Sequence, residues 1–156
     1  MILHSVAARR GTTGHTLMEV LTVVIILGIL ASIAVPTYMS QTRKSRRTEA
    51  RTALLDLAGR EERLFSTTNA YSATPTDLGY GPAGAAFPLT VGSGYYTVNV
   101  TVAAAGSPPA FTLIATPVTG KGQEKDSPCA SFSVTHTGKQ SAASASGADT
   151  TANCWG

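Results

Sequence analysis

The stretch GHTLMEVLTVVIILGILASIAVPTYM, residues 14–39, decides how this chain is organised. Glu19 is the last charged residue before Arg43, so the segment between them is uncharged throughout. A helix needs about 20 mostly apolar residues to cross the hydrocarbon core of a bilayer. The rest of the chain is too short to enclose a helix that is apolar on all sides. We therefore predict a membrane-spanning helix over residues 15–42.

A short basic leader precedes this helix. Residues 1–14, MILHSVAARRGTTG, contain Arg9 and Arg10 and several small polar residues, and they end in Gly14. They lack the apolar core of an ordinary secretory signal, because the apolar residues come after them.

The charge distribution argues against a basic binding face. The formal net charge is +3, but five of the basic residues lie between residues 43 and 51, directly after the apolar segment. From Thr52 onward there are five basic and seven acidic residues, a net charge of −2. The basic excess therefore indicates the flanks of a membrane segment, where it suits lipid headgroups.

Residues 43–156 are predicted to form a globular domain of α+β class. Residues 40–65 continue the helix with an apolar face that includes Ala50, Leu54 and Leu57 and is interrupted by Glu61. Residues 66–94 are predicted to be a loop, because they are rich in Gly, Pro, Ser and Thr. An antiparallel sheet of three or four strands is predicted, at residues 95–102, 111–118 and 130–137 with a short fourth at 140–144, and the first and third of these segments alternate.

Two cysteines, Cys129 and Cys154, lie near the C-terminus. An even count in an exported chain favours a disulfide, and two free buried thiols are the alternative. A bond closing a loop of about 25 residues would stabilise the fold by roughly 3 kcal/mol in the chain-entropy picture.

The junction G-H-T-L-M-E-V closely resembles the processing site of type IV prepilins, usually written G-F-T-L-I-E-L. His15 departs from that pattern, since it stands where the family usually has Phe. The resemblance implies that prepilin peptidase cleaves after Gly14 and N-methylates His15. It also implies an α+β roll in which the first helix anchors the subunit and later packs in a filament core.

Three residues of the helix have assembly roles by this resemblance. In the family, the carboxylate corresponding to Glu19 pairs with the free amine of a neighbouring subunit, whereas Gly28 and Pro36 bracket a stretch that resembles the region melted in assembled pili. A carboxylate within a spanning segment is usually functional, and the alternative is that Glu19 lies near the interface. For Gly28 and Pro36 the alternative is a static kink.

The C-terminal pattern, KDSPCASFSVTHTGKQSAASASG followed by CW, looks like minor pilins of PilE type. A structural, minor pilus subunit is therefore expected, located first in the bacterial inner membrane and then in an extracellular filament. The expected partners are other pilin subunits, prepilin peptidase, the pilus assembly platform and membrane lipid. Pilus assembly, twitching motility, adhesion and DNA uptake are the functions that the resemblance implies.

Two related functions stay open. A pseudopilin of type II secretion shares the N-terminal pattern. The C-terminal cysteine pair disfavours it, because by resemblance such a pair is typical of pilins and usually absent from pseudopilins. A DNA-binding competence pilin needs a basic face, which the net charge of −2 disfavours, although Lys121, Lys125 and Lys139 could cluster.

No pattern predicts catalysis, a metal site or a cofactor. His4, His15 and His136 have no metal-ligand spacing, and no Ser-His-Asp order or phosphate-binding loop is present. We therefore expect a structural protein and not an enzyme.

Overall fold

The computed structural model describes Gly14 and residues 16–156. The chain divides into two units, Met1–Met39 and Ser40–Gly156, and each is described by itself. The elements in chain order are α1 (Leu17–Thr68), β1 (Leu89–Val91), β2 (Tyr96–Val102), β3 (Phe111–Pro117), two short 3₁₀ turns (Gln123–Lys125 and Ser127–Cys129), β4 (Ser131–Thr135), β5 (Gln140–Ala143) and α2 (Thr151–Cys154).

Helix α1 has a recognisable start and end. Thr16 precedes it, and its side-chain oxygen accepts a hydrogen bond from the backbone N–H of Glu19 at 3.3 Å, as in the first half of a capping box. The helix ends at Thr68, and Asn69 follows with φ of 55°, the left-handed conformation that commonly terminates helices. The end therefore lies three residues beyond the predicted end of the amphipathic segment.

The sheet is antiparallel, and its strand order follows the chain: β1-β2-β3-β4-β5. This confirms the α+β fold, with five strands where three or four were predicted. The additional strand is β1, which pairs with β2 through Leu89 opposite Val98 and lies within the segment predicted to be a loop. Three residues are too few to show a period of two, so the sequence pattern did not reveal it.

The core of the second unit lies between α1 and the inner face of the sheet. Ala50, Leu54 and Leu57 are fully buried, which confirms the predicted helix face. They belong to one apolar cluster with the inward side chains of the strands, which include Tyr96, Val98, Leu113, Phe132 and Val134. Burying a side chain of this size contributes about 1.5–3 kcal/mol, so these residues hold the helix on the sheet.

The opposite side of the sheet, which we call the outer face, carries uncharged side chains that are mostly short and polar. No Asp, Glu, Lys or Arg occurs in any of the five strands. Cross-strand pairing places Thr97 beside Thr116 and Thr101 beside Thr112. The outer face consists of Thr90, Thr97, Asn99, Thr101, Thr112, Ile114, Thr116, Ser131, Ser133, Thr135, Ser141 and Ala143.

A disulfide joins Cys129 to Cys154, with a Cα–Cα distance of 5.8 Å, and it confirms the predicted pairing. Both cysteines are buried. The bond connects the second 3₁₀ turn to α2, so the C-terminal segment is held against the sheet. The indole N–H of Trp155 donates to the carbonyl of Ser141 at 2.7 Å and holds the same segment a second time.

Candidate processing and assembly site

The predicted processing site lies at the edge of the described chain. Gly14 is exposed, and a Cβ added to it would meet no atom within 4 Å. His15, predicted to become the methylated N-terminal residue, lies outside the described residues. Prepilin cleavage after Gly14 therefore stays a prediction.

Glu19 lies in the first turn of α1 and is exposed. A carboxylate at this position is favoured by the partial positive charge of the helix N-terminus. Thr16, which accepts the hydrogen bond from the Glu19 N–H, contributes to this start, and the sequence interpretation missed it. The Thr-x-x-Glu spacing, the usual signature of a capping box, would have identified it.

The first unit presents apolar side chains to its surroundings. Every described residue up to Met39 is exposed, and Leu17 has 85% of its surface accessible. By length and composition, α1 contains a segment that could cross a membrane. A continuous apolar surface of this extent marks contact with a membrane or with other proteins. The exposed large apolar residues are Leu17, Met18, Val20, Leu21, Val23, Val24, Ile25, Ile26, Leu27, Ile29, Leu30, Ile33, Val35, Tyr38 and Met39.

Gly28 and Pro36 both lie inside α1, which is helical across both positions. The hydroxyl of Thr37, next to the proline, donates to the carbonyl of Ile33 at 3.0 Å. Side chains of this kind can satisfy backbone groups near a proline in a membrane helix. Local melting between Gly28 and Pro36 in an assembled filament remains a prediction.

The basic residues after the apolar segment contact the globular unit. Arg47 forms a two-pronged ion pair with Asp126, with both N–O distances at 2.7 Å, and this raises the pKa of the Arg47 guanidinium. Arg46 stacks over the ring of Tyr95 at 3.5 Å. Three basic side chains predicted to face lipid headgroups therefore hold the fold together, since Arg51 likewise donates to the Trp155 carbonyl at 2.8 Å.

A buried polar network surrounds the Arg47–Asp126 pair. The amide nitrogen of Gln123 donates to the hydroxyl of Tyr96 at 2.9 Å and to Asp126 at 3.2 Å. Burial raises the pKa of the Tyr96 hydroxyl to about 12, so this group stays protonated at neutral pH. The network fixes the loop that carries the first 3₁₀ turn against α1, because Gln123 also donates to the Arg43 carbonyl.

Glu61, the interruption in the apolar helix face, is fully buried. One carboxyl oxygen accepts a hydrogen bond from the Ser72 N–H at 3.1 Å, and the other has no hydrogen-bond partner in the described part of the chain. Desolvation raises the pKa of this carboxyl, and Glu62 and Asp77 raise it further. The carboxyl thus holds the start of the loop against the helix.

Nothing in the described residues forms a metal centre. No group of three His, Cys, Asp or Glu side chains is placed to hold an ion within Gly14 and residues 16–156. His136 is exposed, with its ring edge-on to Phe111. A shallow groove of about 650 Å³ runs along α1. The two acidic side chains that line it have partners within the chain, since Glu49 accepts hydrogen bonds from Ser93 and Asp56 pairs with Arg60.

Comparison with known proteins identifies the family of this chain. The model of one family, described as type IV minor pilin ComP, DNA uptake sequence receptor, matches residues 36–133. The chain belongs to this family of type IV minor pilins. The match runs from the middle of α1 into β4, and so it covers the helix–sheet core.

Several curated relatives resemble this pilin. It is 38% identical over 69 residues to the type IV major pilin protein PilA of Myxococcus xanthus, covering 44% of the chain and 31% of the relative. It is 37% identical over 90 residues to a fimbrial protein of Pseudomonas aeruginosa, covering 56% and 58%. The fimbrial protein EcpC of Eikenella corrodens is 37% identical over 97 residues, covering 60% and 56%. The pilin thus spans from under a third to somewhat over half the length of these relatives.

A solved structure is also similar. A type IV pilin from Shewanella oneidensis aligns with a TM-score of 0.42 and 24% identity, over 63% of this pilin and 89% of that chain.

Proposed function

We propose that this minor pilin is made as a membrane-anchored prepilin, cleaved after Gly14 by prepilin peptidase and methylated on His15. The processed subunit then assembles with other pilin subunits through α1 into an extracellular type IV pilus. Its partners before assembly are membrane lipid and the inner-membrane assembly platform. It would serve the pilus in assembly, twitching motility, adhesion or DNA uptake, and the proposal assigns no catalytic activity to it.

The observation that carries this proposal is the contrast within one helix of a family member. The described residues up to Met39 are exposed, although they are mostly apolar, whereas one face of the helix from Ala50 onward is buried on a sheet. Lipid and the helices of neighbouring subunits are both apolar partners for such a surface. The C-terminal disulfide supports a pilin over a type II secretion pseudopilin, because by resemblance a C-terminal cysteine pair is typical of pilins.

The processing step is tested by measuring the intact mass of the full chain extracted from membranes of cells with and without prepilin peptidase. We expect the loss of residues 1–14 and the gain of one methyl group only where the peptidase is present. His15→Phe restores the usual family residue and is the matched variant. If both chains keep their full mass while another prepilin in the same cells is cut, the prepilin assignment is wrong.

Assembly is tested separately with Glu19→Gln, which removes the charge and keeps the size. We expect this variant to be retained in membranes and to be depleted from sheared filaments, since a dry ion pair selects the register of the incoming subunit. Glu124→Gln changes an exposed side chain of the first 3₁₀ turn; it is the control and should enter filaments normally. Equal incorporation of both variants would refute the role proposed for Glu19.

A DNA-receptor function is the second candidate, and it is favoured because the matching family is described as a DNA uptake sequence receptor. The net charge of −2 after residue 51 argues against this function. The test is retention of duplex DNA by the full chain at several salt concentrations. Binding that falls steeply with salt, and weakens in a Lys121→Ala, Lys125→Ala double variant, would support it. Salt-insensitive or absent binding would exclude it.

A further inference from the structure

The outer face of the sheet is polar without being charged. All charged residues of the unit Ser40–Gly156 lie on α1 or in loops and turns, and none lies on a strand. About a quarter to a third of the residues on a water-exposed protein surface are usually charged, and these charges oppose association with other surfaces. This sheet therefore lacks the usual protection against meeting another surface.

The side chains of the outer face suit a copy of the same face. When two identical surfaces meet about a two-fold axis, each group faces a group from its own set. Like charges would then repel, whereas a hydroxyl can both donate and accept a hydrogen bond. The face already shows such pairing within one chain, where the Thr97 and Thr116 hydroxyl oxygens lie 3.2 Å apart.

An apolar side chain lies at the middle of this face. Ile114 has 39% of its surface exposed, and Asn99 and Ser133 flank it on the neighbouring strands. Among the described residues from Ser40 onward, Leu55 on α1 is the other large apolar side chain exposed to this degree. An apolar centre with a polar rim is the usual composition of a protein interface.

We propose that the outer face is a self-association surface whose partner is the outer face of a second copy of this chain. From ordinary strand and residue spacings it covers about 400 Å² per copy. A standard stable interface buries about 800 Å² per partner, so one pair of faces binds weakly. Many pairs in parallel bind far more strongly, because each later contact forms at a high local concentration.

Pairing of two faces does not require filament assembly. Within a pilus, the same pairing would join neighbouring filaments side by side, and that consequence rests on the proposed function. The test therefore uses the full chain in detergent micelles, where pairing is measured without any filament.

The experiment compares association of two differently tagged full chains by co-capture and by sedimentation. Asn99→Lys in both copies, or Asn99→Asp in both copies, should weaken association about tenfold, because like charges then face each other. A mixture of the Lys and Asp variants should restore it. Thr52→Lys adds the same charge to the exposed side of α1 and should change nothing.

Thermal unfolding of each variant shows whether it is folded, and Thr101→Lys provides a second position if Asn99→Lys is not. Association that is unchanged in the same-charge pairs would overturn the proposal, as would failure of the mixed pair to recover. A chain that is not cleaved in cells but shows the charge-swap pattern would refute the proposed function and leave this inference standing. A chain that is cleaved normally but lacks the charge-swap pattern would refute this inference and leave the proposed function standing.

Discussion

The two parts of α1 differ in what they do with apolar side chains. Up to Met39 the helix has apolar residues on all sides, and every described one is exposed. From Ala50 to Glu61 most apolar residues recur on one face, where Ala50, Leu54 and Leu57 are fully buried. The apolar face of the second part therefore packs against a sheet of the same chain. The described apolar side chains of the first part stay exposed, and such a surface marks contact with a membrane or with other proteins.

The largest test of this comparison is a pair of identical substitutions. Leu54→Ala removes a fully buried side chain and should lower the free energy of unfolding of the globular unit by about 4 kcal/mol. Leu30→Ala changes an exposed residue in the first part and should leave that free energy within about 0.5 kcal/mol. Denaturant unfolding of the full chain in detergent measures both. Equal losses would contradict the division between the two parts.

A second test removes the covalent bond of the globular unit. The double variant Cys129→Ser, Cys154→Ser should lose about 3 kcal/mol, since the unfolded chain is then no longer constrained. Membrane retention should not change, because the apolar part of α1 is untouched. The same unfolding experiment, with a membrane fractionation beside it, checks both expectations. Loss of membrane retention would show that the two parts are not independent.

A third test compares two ion pairs made by the second part of α1. Arg47 and Asp126 are 14% and 5% exposed, so Asp126→Asn should cost about 2 kcal/mol by removing a buried charged partner. Arg60 and Asp56 form a pair on the helix surface, and Asp56→Asn should cost under about 0.5 kcal/mol. Thermal unfolding at low and high salt separates them. A larger loss of stability for Asp56→Asn than for Asp126→Asn would contradict the conclusion that the buried pair contributes more.

The smallest expected effect is a change in how the stability of the globular unit varies with pH. Because burial raises the pKa of Glu61 in the folded state, its stabilising contribution is complete below the pKa of unfolded glutamate. That contribution is lost as the pH rises through the folded-state pKa. Glu61→Gln should remove this decline and be the more stable chain at neutral pH. The melting temperature from pH 4 to pH 8 measures it, with Glu124→Gln as an exposed control that keeps the decline.

Local patterns predicted the fold well. The spacing of Ala50, Leu54 and Leu57 identified the buried helix face, and alternation identified β2 and β4. Strands β3 and β5 were also predicted, β5 as a short fourth strand after a turn. Strand β1 was not predicted, because it has three residues and is followed by Gly92, which has a positive φ. A Cβ on Gly92 would lie 2.5 Å from a carboxyl oxygen of Glu49, so a larger residue would displace this side chain, which is distant in sequence.

The site was predicted in part. The processing and assembly residues follow from one motif, and they remain predictions. The roles of Arg46, Arg47 and Arg51 were not predictable, since Arg47 meets Asp126 at a separation of 79 residues and basic residues beside a membrane segment ordinarily face headgroups. Burial of Glu61 was likewise hidden, because its partner is a backbone N–H on the loop.

The contacts between α1 and the loop after it have a consequence for how this protein can evolve. Charged helix side chains hold that loop largely by its main chain: Glu61 binds the Ser72 N–H, Arg60 binds the Leu78 and Gly79 carbonyls, and Glu49 binds the Ser93 N–H. Every amino acid except proline supplies an N–H, and all supply a carbonyl. The exposed positions between these contacts can therefore accept substitutions while the loop keeps its course, so its surface can diversify without loss of the fold.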